Sequence, residues 1–279
     1  MFYRINALAA LSRCSKLRYL DLSLVSERIP QSDLCRSLSM IKGLESLGYP
    51  RSGSTDARTF LGTVTIGLKD VHVNGGLQDG LLLHAINKRL SKQIEPLSLT
   101  RLTIGNCPKL SKDGVWAIVE HYSINLEYLK IGNHMTSLRN DPLDGILEIL
   151  GSLRHLSIPV DYITGFFFGG NWGKSKENPY LLETVELDCI WPAGNQAEAI
   201  NSDVIWDAVA DGAFGRLRRV TLARRLEMPV VTGLGENSEE LNQLLKALAR
   251  EDGSQARYSE DQADVRIFGS SAGLQSAYD

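Results

Sequence analysis

The pattern L-x-x-L-x-L recurs through most of this 279-residue chain. It appears as Leu17-Leu20-Leu22, Leu44-Leu47-Tyr49, Leu68-Val71-Val73, Leu99-Leu102-Ile104, Leu126-Leu129-Ile131, Leu153-Leu156-Ile158, Leu182-Val185-Leu187 and Leu217-Val220-Leu222. The starts are 27, 24, 31, 27, 27, 29 and 35 residues apart. A near-constant period of this length constrains the fold more than any other feature. Each unit is one supersecondary element, too short to bury its apolar face alone, so it must stack on its neighbours. The third unit has two readings, LGTVTIG from Leu61 and LKDVHVN from Leu68, of which Leu68 is preferred.

Within a unit the spacing fits neither a helix nor a plain strand, and LTRLTIGNCPKL from Leu99 shows why. In a short strand alternate residues share a side, so Leu102 and Ile104 turn inward while Arg101, Thr103 and Gly105 face outward. The chain then turns at Cys107, a small side chain that tolerates burial, and Leu110 returns to the core. Beyond it, SKDGVWAIVEHYSIN places Val115, Ile118 and Val119 at helical spacing after Ser111 and Asp113, both suited to helix starts. DGLLLHAINKRL from Asp79, DPLDGILEILGS from Asp141 and SDVIWDAVADG from Ser202 read as the corresponding helices.

The expected fold is therefore α/β, a leucine-rich-repeat solenoid. It is a curved horseshoe with one parallel sheet on the concave side and helices on the convex side. Residues 1–225 hold about eight repeats. Residues 226–252 form a helical cap, SEELNQLLKALARED, behind Asn237, and 253–279 are polar and expected to lack structure. RSGSTDAR after Pro50 and the aromatic, glycine-rich GFFFGGNWGKSKENPY from Gly165 interrupt the rhythm.

The unit at Leu99 carries the leucine-rich-repeat signature, with Cys107 at its N/C position. Together with KDGVWAIVEHYSINLEYLKI, CSKLRYLDLSLVSE, LESLGYPRSGST and LRHLSIPVDYI, it resembles the cysteine-containing repeats of fungal F-box proteins over roughly residues 5–225. That resemblance implies a non-enzymatic module that presents substrate to a Skp–cullin ubiquitin ligase. In that family an N-terminal F-box docks on the adaptor. The residues before Leu17 are too few to hold one, so a Skp–cullin partner is expected only if an F-box is supplied upstream. The alternative is a stand-alone repeat scaffold or enzyme regulator unrelated to ubiquitin.

Composition narrows the partners. A net charge of −3 gives no basic footprint for nucleic acid or anionic lipid, and no segment approaches the run of apolar residues that spans a bilayer. Cys14, Cys35, Cys107 and Cys189 form no C-x-x-C pair, and no Asn-x-Ser/Thr acceptor occurs, so reduced thiols and a cytoplasmic or nuclear location are expected. His72, His84, His121, His134 and His155 show no metal-ligand spacing. No metal and no cofactor are expected.

Two arrangements resemble catalytic or nucleotide sites without completing them. Aligned by repeat, Cys107, His134 and Asp161 share one position in consecutive units, as a cysteine-hydrolase triad would need. The simpler reading is that each closes its own turn through local hydrogen bonds. FGGNWGKS from Phe168 approaches a P-loop, but Phe168 replaces the first glycine and Pro179 interrupts the helix that should follow Lys174. No catalytic residue is assigned.

The surface expected to bind is the outward face of the strands, since extended concave faces are where solenoids usually bind. It offers Arg101, Thr103, Tyr128, Lys130, His155, Ser157, Thr184 and Glu186, flanked by Tyr19, Asp21, Asp70, His72, Arg219 and Thr221. An aromatic ring beside two cations suits an acidic or phosphorylated protein segment. A second expected contact is the loop bearing Phe166, Phe167, Phe168 and Trp172.

Overall fold

Each of the eight expected units supplies a strand. The structure, a computed structural model, describes residues 10, 13–14, 16–23, 37–38, 40–41, 43–49, 68–75, 79, 99–169, 179–188, 202–223, 234–251 and 264–268. The strands are β1 (Tyr19–Asp21), β2 (Ser46–Gly48), β3 (Asp70–Asn74), β4 (Arg101–Gly105), β5 (Tyr128–Ile131), β6 (His155–Pro159), β7 (Thr184–Asp188) and β8 (Arg219–Ala223). The third unit therefore starts at Leu68, as preferred. The chain divides into two compact units, Met1–Asp141 and Pro142–Asp279.

In the first unit β1 to β5 pair in chain order, all parallel, so this part is α/β with an open parallel sheet. Register aligns the repeat leucines: Leu20, Leu47, Val71, Leu102 and Leu129 lie side by side, and Val73, Ile104 and Ile131 form a second row. Leu47, Val71, Val73, Leu102, Ile104 and Leu129 are fully buried. Each such side chain gains about 1.5–3 kcal/mol from leaving water, which fixes the register. The strand starts repeat as faithfully. The carbonyl of Arg18 accepts from the N–H groups of Glu45 and Ser46, and those of Glu45, Lys69 and Thr100 serve the next strands in the same way.

One helix of this unit is fully described. Helix α1 (Lys112–Tyr122) follows β4, and Ser111 caps it by accepting from the Gly114 N–H at 3.3 Å. Val115, Ile118, Val119 and Tyr122, spaced one and two turns apart, are its buried face. Asp79 helps hold the start, since its Oδ1 accepts from the Ser111 N–H at 2.8 Å. A Cβ on Gly114 would lie 2.2 Å from that carboxylate oxygen and 2.6 Å from a Leu110 methyl, so a larger residue there would have to displace the Asp79 and Leu110 side chains.

In the second unit β6 pairs with β7 and β7 with β8, again parallel. A single helical turn, α2 (Phe166–Gly169), precedes β7, and α3 (Ser202–Ala210) precedes β8. Helix α4 (Leu234–Glu251) follows and packs against α3.

Three expectations are corrected. The helix expected from Asp141 is replaced by a 3-10 turn at Ile146–Ile149, with another at Thr136–Arg139 just before the segment. Pro142 cannot donate to a helix, and Gly145, at φ 84°, leaves the helical region before Ile146. Secondly, residues 253–279 contain a ninth strand, β9 (Asp264–Phe268), parallel to β8 with Val220 opposite Val265 and Leu222 opposite Ile267. The alternation of Val265 and Ile267 in DVRIF repeats the strand pattern without the leading leucine. Thirdly, α4 connects β8 to β9 and so is a crossover helix rather than a cap. It begins at Leu234, which puts Asn237 inside it.

Trp172, Lys174, Cys35, Cys189, the strand alternative from Leu61 and the helix expected behind Asp79 lie outside the described residues. Among the described residues no helix is long and apolar enough to cross a membrane.

Candidate functional site

The outward residues of the first unit form two rows across its sheet. One runs Tyr19, Ser46, Asp70, Arg101, Tyr128, and the other Asp21, Gly48, His72, Thr103, Lys130. Parallel strands lie about 4.8 Å apart, so each row is a fixed ladder of side chains. Arg101 and Lys130 are exposed, and Thr103 and Tyr128 are half-buried. The Arg101 guanidinium carbon lies 4.0 Å from the centre of the Tyr128 ring. This stacking holds a planar cation in place while its edge stays available for paired hydrogen bonds to an anion.

The other end of the rows carries the opposite sign. Asp70 Oδ2 accepts from the Ser46 hydroxyl at 3.1 Å, and Asp21 Oδ1 accepts from the Ser23 N–H at 2.8 Å. Hydrogen bonds from the Ser23 hydroxyl and N–H, with a smaller attraction from His72, hold the Asp21 carboxyl below the usual carboxylate range. Gly48 makes room for this group, since a Cβ there would lie 2.1 Å from Asp21 Oδ1.

In the second unit the expected residues bond to one another. His155 Nδ1 and Thr184 Oγ1, opposite each other in the ladder, are hydrogen-bonded. Arg154 Nη1 and Glu183 Oε1, just before the same strands, form an ion pair at 2.5 Å. Ser157 is only 7% exposed, which corrects its expected place on a contact surface, whereas Glu186 opposite it is exposed.

The aromatic segment is also corrected. Phe167 and Phe168 are buried, and Phe168, Phe214 and Tyr180 form an aromatic cluster, with Tyr180 stacked on Phe214 at 5.0 Å between ring centres. Burial, with a smaller effect from the Glu148 charge, pushes the Tyr180 phenol above its ordinary range. Asp144 fixes the turn that feeds the segment, accepting from the Thr164 N–H at 2.8 Å and its hydroxyl at 2.6 Å. Three adjacent phenylalanines thus divide into Phe166, 73% exposed, and two core residues.

The alignment that brought Cys107 and His134 to one position fails by a residue. After β4 the left-handed residue is Asn106 (φ 49°), followed by buried Cys107; after β5 it is His134 (φ 62°), followed by buried Met135. The partner of Cys107 is therefore Met135, whose sulfur accepts from the Cys107 N–H at 3.2 Å, while the Cys107 thiol donates to the Gly105 carbonyl at 3.2 Å. The signal was present in the sequence: the apolar residue lies three places after Ile104 but four after Ile131. Buried and turned to its own backbone, Cys107 closes a turn. Among the described residues, no group of three or more His, Cys, Asp or Glu is placed to hold a metal ion.

No family model matches the chain. It is similar to protein pof5 of Schizosaccharomyces pombe, at 27% identity over 248 residues, covering 89% of this chain and 66% of that protein. It is also similar to the F-box protein YDR306C of Saccharomyces cerevisiae, at 25% identity over 249 residues, covering 88% of this chain and 49% of that protein. The chain thus spans about two thirds of one curated relative and about half of the other, and the second of these is named as an F-box protein.

Proposed function

We propose that this chain is a leucine-rich-repeat recognition module, without enzymatic activity of its own, that holds a protein substrate for an F-box-type ubiquitin ligase in the cytoplasm or nucleus. The observation that carries the reading is Arg101 stacked on Tyr128, with Lys130 on the same strand as that ring, all on the solvent side of a rigid parallel sheet. Two cations and a ring in fixed register suit an anionic segment, because little side-chain freedom is lost when it binds. The horseshoe shape is part of the same proposal, supported by one strand per repeat and the repeated double acceptance at the strand starts. The similarity to a protein named as F-box supports the link to ubiquitin ligation. In this reading the repeats bind substrate and an F-box elsewhere in the natural protein binds the Skp–cullin pair.

The test is affinity capture of the natural full-length protein from its source cell, followed by mass spectrometry. It is run beside the variant with Arg101, Tyr128 and Lys130 all changed to alanine, whose folding is checked by circular dichroism. The expected outcome is that both recover the Skp–cullin pair and only the unaltered protein recovers substrate. A folded variant that retains every partner would refute the recognition face, and absence of the Skp–cullin pair from both would refute the ligase reading.

A further inference from the structure

The sign of charge changes across the outward face of the first unit, and this bears on what kind of segment can lie there. At the β1–β3 end stand Asp21 and Asp70; at the β4–β5 end stand Arg101 and Lys130. Asp21 and Lys130 terminate the same row, with Gly48, His72 and Thr103 between them. Because Gly48 has no side chain, the Asp21 carboxylate lies where a β2 side chain would begin. The two carboxylates are held in place by hydrogen bonds from Ser23 and Ser46, and Arg101 by its stacking on Tyr128. A segment that is acidic throughout would be attracted at one end and repelled at the other, and like charges brought together across an interface are strongly disfavoured.

Resting on the recognition reading above, we propose that this face binds an extended protein segment carrying opposite charges: a lysine or arginine over Asp21 and Asp70, and an anionic side chain against Arg101 and Lys130. The carboxylate over β2 and the ammonium on β5 are three strand spacings apart, about 14 Å, which an extended chain covers in about four residues. The two charges of the segment therefore lie about four residues apart. Glutamate and phosphoserine both satisfy the anionic end, where arginine can form paired hydrogen bonds to either group. Charge complementarity at both ends fixes the direction in which the segment lies, which a uniformly cationic face could not do.

The experiment measures fluorescence anisotropy of short labelled peptides on the natural full-length protein. The peptides have an otherwise neutral background and carry lysine and glutamate about four residues apart, in either order. Others carry lysine and phosphoserine at that spacing, or two glutamates. One order of the mixed-charge peptide is expected to bind about tenfold more tightly than the two-glutamate peptide, about 1.4 kcal/mol, as like-charge conflict is relieved. Asp21→Lys with Asp70→Lys should reverse that preference. The milder Asp21→Asn with Asp70→Asn should abolish it and guards against loss of folding. Equal binding of mixed-charge and two-glutamate peptides, an unchanged preference in either double variant, or no binding of any peptide would overturn the proposal. Partner capture that still depends on Arg101, Tyr128 and Lys130 would then leave the recognition reading intact.

Discussion

The outward faces of β4–β5 and β6–β7 come from the same repeat pattern yet are satisfied in different ways. On β4 and β5, Arg101 is stacked on Tyr128 with its cation exposed, and Lys130 is exposed. On β6 and β7, His155 is bonded to Thr184, Ser157 is buried, and Arg154 is paired with Glu183 just ahead of the strands. Regular strand register aligns side chains whatever they are; which ones remain available depends on whether the neighbour in the ladder is a partner. A ring stacked on a guanidinium orients the charge without neutralising it, whereas a carboxylate ion-paired with one, as Glu183 is with Arg154, cancels it; Asp70, the other ladder neighbour of Arg101, accepts instead from the Ser46 hydroxyl.

The largest effects that can test this contrast lie beneath the faces. Phe167→Ala in the second unit should cost about 3–5 kcal/mol, since it removes a fully buried ring, while Phe166→Ala should cost at most about 0.5 kcal/mol. Denaturant unfolding of both variants measures this. Equal losses would mean that the segment is not divided between core and surface. In the first unit, Gly132→Ala would bring a Cβ to 3.0 Å from the Gly105 Cα. Backbone cannot yield as a flexible side chain can, so a loss of about 1–3 kcal/mol is expected by the same measurement.

A smaller effect concerns the carboxylate end of the first unit. Asp21 should titrate below the ordinary aspartate value, followed by NMR of its side-chain carboxyl, and Ser23→Ala should raise that value by removing the hydroxyl donor while leaving the N–H. A carboxyl whose pKa is lowered by folding stabilises the fold above its unfolded value, and that contribution is lost as pH falls through the lowered folded value. An Asp21 that titrates at or above the ordinary value in the unaltered protein would contradict the geometry drawn for that end.

The strands were legible in the sequence because they rest on a local rule, alternation behind a leading leucine, and each unit repeats it. What was not legible depends on contacts between distant positions or on insertion of one residue. His134 and Cys107 align by counting, but the extra residue after β5 gives the buried position to Met135. DVRIF shows the alternation of a strand but no leucine three places before Val265, so β9 became clear only from its pairing with β8. Of the aromatic run, Phe168 packs against Phe214, remote in the chain, and Phe167 against Phe168, behind the turn that Asp144 and Thr164 hold. The outward positions were legible from strand alternation, since the same rule that buries Leu102 exposes Arg101. Their availability was not, because it depends on the contacts each side chain makes: Arg101, between Asp70 and Tyr128 in the ladder, stacks on the ring and stays exposed, and His155 opposite Thr184 is hydrogen-bonded.

The most direct measurement compares the two faces against one partner. Calorimetric titration of the substrate recovered by capture into the natural full-length protein should show that Arg101→Ala, Tyr128→Ala and Lys130→Ala together cost about 2 kcal/mol or more of binding. His155→Ala, Thr184→Ala and Glu186→Ala together should cost a few tenths of a kcal/mol, as expected of residues outside the energetic centre of an interface. The opposite ranking, or equal losses from both folded triple variants, would contradict the claim that recognition is centred on the first unit's outward face.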